Sequence, residues 1–157
     1  MATLTGALQA LEVFGRRSEF VAAGIKYSYG IEDYTEKLVA ANVPCLVVLP
    51  EASERIEYGA HNLAGNRGKA DFEMKHLAIL AGGERPLSEV RVLQYAVADA
   101  YTAALKAQPF ISDESAPAVH DHVRMVASFE KLNLSPAQLG DGLWHCVLFT
   151  LSTAIAV

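Results

Sequence analysis

Apolar residues recur every three or four positions between residues 87 and 108, which is the spacing of one face of a helix. Ser88 is suited to capping the first turn, and Glu89 complements the positive end of the helix dipole. Pro109 cannot continue a helix. The pattern predicts a helix over Leu87–Gln108 whose buried stripe comprises Val90, Leu93, Val97, Tyr101, Ala104 and Leu105.

Runs with the periodicity of strands lie on both sides of this helix. Val43–Leu49 is continuously apolar and closed by Pro50, which predicts a strand buried on both faces. Pro44 lacks a backbone donor and therefore belongs at the start of that strand or at an edge of the sheet. The other runs interpreted as strands are Ile25–Tyr29, Arg55–Tyr58, Ala70–Ala81, His122–Leu132 and Leu143–Val157.

The N-terminal segment has the helical period in Leu4, Leu8 and Leu11, which predicts a first helix over Thr3–Arg17. Gly24 is placed to end a short extension of it. With helices at the start and the centre and strands between and after them, the order predicts an α+β fold. We expect a mainly antiparallel sheet of about four to five strands, packed by the N-terminal and central helices, in a single domain over residues 1–157.

Composition narrows the function classes. The apolar share of 52% suits a large core, or a core together with area covered by partner subunits. A net charge of −5, with scattered basic residues, argues against a reader of duplex DNA. The longest apolar run, Val147–Val157, is too short to span a membrane, and no signal peptide is expected. Cys45 and Cys146 lie in apolar runs, which predicts buried, reduced thiols and synthesis in the cytoplasm.

The glycine-rich stretch Gly59–Lys69 ends in GNRGK but does not match a phosphate-binding loop. Leu63 stands where such a loop needs a glycine, and Ala70 stands where it needs a hydroxyl. Two interpretations stay open: a solvated loop, or a projecting hairpin tip that contacts a protein partner. The residues that would make the contact are Asn62, Asn66, Arg67 and Lys69.

The other residues that could bind a metal or act in catalysis are better interpreted as ordinary surface residues. His120 and His122 would point the same way on a strand, but no third metal ligand is placed by spacing. The acidic residues Glu32, Asp33 and Glu36 have no neighbour that would raise a carboxyl pKa. No G-x-S-x-G motif occurs. The sequence therefore predicts no catalytic residue, metal or cofactor, and a protein that is not an enzyme.

The order of elements resembles the tail-terminator proteins of long-tailed bacteriophages and related contractile injection particles. The resemblance covers nearly the whole chain, although Ser112–Asp121 is longer than that family's pattern. The segments that carry it are Lys26–Tyr29, the VPCLVVLPE strand Val43–Glu51, the long-looped hairpin Ile56–Ala81, the helix Ser88–Gln108, and the closing hairpin Val123–Val157 with Gly140–Trp144 before its last strand.

The resemblance implies a structural virion protein that forms a ring, commonly a hexamer, at the head-proximal end of the tail tube. The ring would end tube polymerisation and offer the joining surface for the head–tail connector, while DNA passes through the lumen without sequence readout. It implies assembly in the host cytoplasm, no membrane and no cofactor. The residues we expect to make the axial contacts are Asn62, Asn66, Arg67, Lys69, Asp113, Glu114 and His120.

Three alternatives remain at this stage. The chain is a neck or head-completion protein on the connector side, a small α+β ligand-binding domain or enzyme, or a plain dimeric domain. Binding to tubes or connectors separates the first from the terminator interpretation. A concave pocket with convergent polar groups would favour the second, and the oligomeric state would identify the third.

Overall fold

The computed structural model describes residues 4–31, 40–58, 68–107, 110–111, 123–124, 129–133, 136–139 and 142–156. The helices are α1 (Leu4–Phe14), α2 (Ser18–Ala22) and α3 (Leu87–Ala107), and Ala40–Asn42 forms a 3-10 turn. The strands are β1 (Tyr27–Tyr29), β2 (Cys45–Tyr58), β3 (Gly68–Gly82), β4 (Phe110–Ile111), β5 (Val123–Arg124), β6 (Phe129–Asn133), β7 (Ala137–Leu139) and β8 (Gly142–Ala156).

Within the described ranges, the main sheet has six strands in the order β1-β2-β3-β8-β6, and β7 also pairs with β8. β1 runs parallel to β2, and every other pair in this sheet is antiparallel. β4 and β5 form a separate two-stranded sheet. The predicted α+β class with a mainly antiparallel sheet is therefore confirmed.

One face of the main sheet packs against the helices. The stripe predicted for α3 is confirmed, because Val90, Val97, Tyr101 and Ala104 are buried while Leu93 and Leu105 are partly buried against the same core. Burying such apolar area contributes about 25 cal/mol per Å². The core on this face consists of Leu8, Ala10, Leu11, Phe14, Phe20, Ile25, Leu46, Val48, Met74, Ala78, Leu80, Val97, Tyr101, Ala104, Val147, Phe149 and Leu151, together with Val90 beside them.

A second apolar cluster lies on the opposite face of the sheet. Its buried members are Cys45, Val47, Leu49, Leu77, Ile79 and Cys146. Val43–Leu49 thus contributes to both faces, as its continuous apolar run predicts, since Leu46 and Val48 belong to the helix-packed core.

The two cysteines are buried and free, as predicted. Both are paired to Ile79 of β3, Cys45 from β2 and Cys146 from β8. With β3 between them their Cα atoms lie about 10 Å apart, beyond the reach of a disulfide. Burial raises the pKa of the Cys45 thiol to about 12, so it stays protonated.

The expectation that Pro50 ends the strand is wrong. β2 continues through Pro50 to Tyr58, and its pairing with β3 shifts register between Val48 and Ala52. A bulge at this point accommodates a residue without a backbone donor, so the strand bends there and continues.

The predicted start of the central helix at Leu87 is confirmed, whereas the capping role predicted for Ser88 is wrong. α3 begins at Leu87, so Ser88 lies inside the first turn, and the carbonyl of Pro86 accepts the first helical hydrogen bonds from Glu89 (3.1 Å) and Val90 (3.3 Å). A strand that was not predicted, β7, pairs with the start of β8. The strand expected over His122–Leu132 is represented by β5 and β6, with residues 125–128 outside the described part.

A glycine turn leads the chain from α2 towards β1. Gly24 has a φ of +99°, its N–H donates to Val21 O (3.1 Å), and the Ile25 N–H donates to Phe20 O (3.0 Å). These two hydrogen bonds, together with the burial of Phe20 and Ile25 in the same core, form a Schellman motif. The motif satisfies the last carbonyl groups of the helix.

β1 is held firmly from two sides. The Ser28 hydroxyl donates to the Glu12 carbonyl at the end of α1 (2.6 Å), and the Lys26 N–H donates to Pro44 O (2.8 Å). A Cβ added to Gly15 would lie 2.3 Å from Ser28 Oγ, so only glycine permits this approach of α1 to β1. The position of this edge strand is therefore fixed by the core.

We expect Gly24→Ala to lower the free energy of unfolding by about 1 kcal/mol, because an L side chain at this φ is strained. Gly24→Asn is the matched control, since asparagine tolerates the left-handed conformation better, and it should cost less. Urea unfolding of the three proteins measures the difference. Equal stability of the alanine variant and the wild type would contradict the assigned turn.

Candidate interaction surfaces

The β2–β3 hairpin extends well beyond the point where β1 stops. β2 has 14 residues and β3 has 15, paired without interruption from Ala52↔Met74 to Tyr58↔Gly68. The six steps from Ala52 to Tyr58 span about 20 Å at the rise of a strand. β8 follows β3 along this extension as far as Lys69↔Ala156. Residues 59–67 therefore connect the far ends of a long, three-stranded antiparallel ribbon.

Lys69 was expected in the loop, and this is wrong: it is the second residue of β3, paired to Glu57 of β2 and to Ala156 of β8. The next charged pair inward is Arg55↔Asp71. Opposite charges at directly paired positions favour an antiparallel ladder, so the residue types at these positions agree with the observed register.

The remaining residues expected to make axial contacts lie outside the described part of the chain. They are Asn62, Asn66, Arg67, Asp113, Glu114 and His120. The structure thus describes the strands on either side of Asn62, Asn66 and Arg67, but not these residues themselves. The contact roles of all six residues stay predictions.

A buried polar pair joins the central helix to the sheet. The hydroxyl of Tyr101 on α3 and Nδ1 of His76 on β3 lie 2.8 Å apart and share a hydrogen bond. Both side chains are fully buried, and the other ring nitrogen of His76 has no hydrogen-bond partner in the part of the chain that is described.

Tyr101 is also the centre of an aromatic cluster. Its ring stacks on Phe149 of β8 with centroids 4.1 Å apart. Phe14 of α1 and Phe20 of α2 meet it edge-on at 5.5 and 5.2 Å, and His76 meets it edge-on at 5.6 Å. Such pairs contribute about 0.5–1.5 kcal/mol each beyond area burial.

Burial determines the protonation of this pair. It lowers the pKa of His76 to about 3 and raises the pKa of Tyr101 well above its usual value, so both groups are neutral near pH 7. Because neither side chain reaches solvent, the pair serves the attachment of α3 to the sheet.

Two more polar contacts hold α3 against β8. The Gln94 side-chain amide donates to the Cys146 carbonyl (3.0 Å), next to the register shift of the β3–β8 ladder between Ile79 and Ala81. A ring nitrogen of His145 lies 3.0 Å from the Arg85 carbonyl just before the helix begins.

Sequence reasoning did not identify His76 and Gln94 as buried, although a signal exists for each. Gln94 lies four residues after Val90 and three before Val97, on the apolar stripe of the helix. His76 lies two residues from Met74 and two from Ala78, so all three share one face of a strand. A polar residue on an apolar stripe is ordinarily buried with a partner, which is the outcome here.

Within the described ranges, no three His, Cys, Asp or Glu residues come together as metal ligands. None of the helices described here is long and apolar enough to cross a membrane.

In the described part of the chain, large apolar side chains are exposed on α2, β1, α3 and β8, and just after β1. Tyr27 on the edge strand β1 is 48% exposed and stacks on Tyr29 (5.8 Å), and Ile31 beyond it is 40% exposed. On the outer side of α3, Val92 is 71% and Tyr95 is 54% exposed. The other members of this exposed set are Val21, Leu87 and Leu143.

Neither the protein-family models nor the curated proteins compared with this chain match it.

Replacing Tyr101 with Phe should lower the free energy of unfolding by about 1–3 kcal/mol, because His76 then loses its hydrogen-bond partner in a buried site. Tyr95→Phe, an exposed hydroxyl on the same helix, is the control and should stay within about 0.5 kcal/mol. Urea unfolding checks both, and an equal effect of the two changes would show that the buried bond contributes nothing.

The stability of the protein should fall as the pH falls from about 6.5 towards 3, because in this window the unfolded chain protonates residue 76 while the folded chain does not. The contribution of His76 is complete above pH 6.5 and declines by about 1.4 kcal/mol per pH unit below it. Urea unfolding at several pH values measures the slope. His76→Leu should reduce the slope, and an unchanged slope in that variant would contradict the neutral, buried imidazole.

Proposed function

We propose that this chain is a structural assembly protein of the tail-terminator type, which forms a ring at the head-proximal end of a phage tail tube. The ring ends tube polymerisation and provides the surface that the head–tail connector binds. Each subunit uses its packed α+β body as a scaffold and projects the β2–β3 hairpin towards an axial partner.

The observation that supports this proposal most is the length of the β2–β3–β8 ribbon. A hairpin whose paired strands run about 20 Å past the bulge is a suitable arm for reaching a neighbouring ring. Its connection holds Asn62, Asn66 and Arg67, and Lys69 begins β3 beside it. The register fixes the direction of the arm, because pairing continues without a shift from Ala52 to Tyr58.

The distribution of polar groups supports a scaffold role. Those that the helix-packed core buries, His76, Gln94 and Tyr101, contact other parts of the same chain. Large apolar side chains are instead exposed on β1 and α3, where a subunit interface would cover them.

Charge supports the passage of DNA through such a ring. The net charge of −5 disfavours tight binding to phosphates, so a lumen formed by this chain would let DNA slide. A neck protein on the connector side has the same requirements and differs only in its axial partner.

Light scattering on the purified protein across a range of concentrations tests the ring. The proposal expects a particle of about six chain masses, formed by the protein alone or after tail tubes are added. A compact dimer under both conditions would contradict it. Preferential binding to purified connectors over purified tubes would assign the chain to the neck.

Arg67→Glu with Lys69→Glu should reduce binding to purified tail tubes by at least tenfold, because two basic groups at the hairpin end are reversed. Co-sedimentation with tubes measures the binding, and the thermal midpoint shows that the variant is folded. The double change Arg16→Glu with Lys106→Glu is the control, because it changes the net charge by the same amount as the hairpin variant. Both control residues are exposed, Arg16 just after α1 and Lys106 near the end of α3. Full tube binding by the hairpin variant would overturn the proposed arm.

A further inference from the structure

We infer that the β1 edge and the outer face of α3 are the two halves of a head-to-tail contact between copies of this chain. The β1 edge comprises Lys26, Tyr27 and Ile31, and the outer face of α3 comprises Val92, Tyr95, Ala96 and Asp99. The inference rests on the proposed ring for its choice of partner, a second copy, and it specifies which surfaces meet.

In the part of the chain that the structure describes, no strand pairs with the outer side of β1. Within the described ranges, β1 pairs only with β2, and its three residues include no charge and no proline. Tyr27 is nearly half exposed there, although Ser28 and Lys26 fix the strand through the bonds to Glu12 and Pro44. A rigid edge with an exposed aromatic ring costs little ordering entropy when it docks.

The part of β2 beyond β1 and the outer strand β6 contain charged residues of the kind that keep sheet edges apart. The part of β2 beyond β1 contains Glu51, Glu54, Arg55 and Glu57, and β6 contains Glu130 and Lys131. Charged residues of this kind discourage the addition of another chain to a sheet edge. The short strand β7 also lacks charges, and β1 differs from it in carrying the large, nearly half-exposed aromatic side chain of Tyr27.

The outer face of α3 is unusually apolar for a solvent face. Val92, Tyr95, Ala96 and Asp99 are all exposed, and their spacing of three and four residues places them on one stripe. The opposite stripe, with Val97 and Tyr101, is the one that packs into the core.

The two surfaces belong to different parts of the subunit. α3 contacts β3 and β8, while β1 lies at the sheet edge on the far side of β2. A two-fold dimer would join one patch to its own copy, whereas two different patches suit a heterologous contact that repeats around a ring.

The charges beside the two patches are complementary. Lys26 precedes Tyr27, and Asp99 follows Tyr95 by one helical turn. Neither side chain forms an ion pair with another side chain in the described part of the chain. An ammonium beside one patch and a carboxylate beside the other would set the register of a contact between copies.

Mixing two variants that each lack one patch tests the inference. Tyr27→Glu and Val92→Glu, purified separately, should each be monomeric by light scattering at concentrations where the wild type assembles. Mixed, they should form a heterodimer and nothing larger, because one intact edge still meets one intact helix face. Gln9→Glu, an exposed change on α1, is the control and should assemble as the wild type does.

Three outcomes would overturn the inference: wild-type protein that stays monomeric without and with tubes, single variants that assemble normally, or a mixture that stays monomeric. Thermal unfolding of each variant identifies a folding defect. A charge exchange supplies a second measurement, since Lys26→Glu and Asp99→Lys should each weaken assembly at low salt and should restore it when combined in one chain. Failure of the combined variant to recover would also count against the contact.

The result separates this inference from the proposed function. If the wild type assembles and caps tubes while the patch variants do so equally well, the terminator role stands and the assigned contact is wrong. If the variants and their mixture behave as expected but the wild type does not bind tubes, the contact stands and the terminator role is wrong.

Discussion

The hydrogen bond between Tyr101 and His76 is the contact on which the rest of the fold depends. It joins the central helix to the central strand β3 at a fully buried position, and the same tyrosine ring contacts Phe14, Phe20 and Phe149 from α1, α2 and β8. Every layer of the helix-packed core therefore meets at one side chain. A buried bond of this kind rigidifies a core because its loss leaves an unpaired polar group out of water.

This arrangement separates scaffold from surface. The helix-packed core positions β1 through Ser28 and Glu12. It also contains Val48 of β2, Met74 of β3 and Leu151 of β8, beyond which these strands extend along one another. The exposed edge and the arm thus inherit their geometry from a rigid body. The proposed ring would need surfaces held at fixed angles, and pre-organised surfaces lose less entropy on binding.

Periodicity was sufficient to predict what depends on neighbours in the sequence. The spacing of Val90, Val97 and Tyr101 gives the buried stripe of α3, and the continuous run Val43–Leu49 gives a strand buried on both faces. The errors occur where a distant strand decides the structure. Lys69 and the strand Ala137–Leu139 are ordered by pairing with Glu57 and with the start of β8, which no local pattern shows. Pro50 stays within β2 because a bulge against β3 accommodates it. The expected contact residues were chosen from the sequence by the type of their side chains. Of these residues, the structure describes the strand pairing of Lys69 alone.

The most direct test of the central claim is to image tail tubes that polymerise in the presence of this protein. If the chain is a tail terminator, the tubes should be of limited length and carry a ring of density at one end, with about six copies of the chain per ring. Tubes that keep growing at both ends without added density would contradict it.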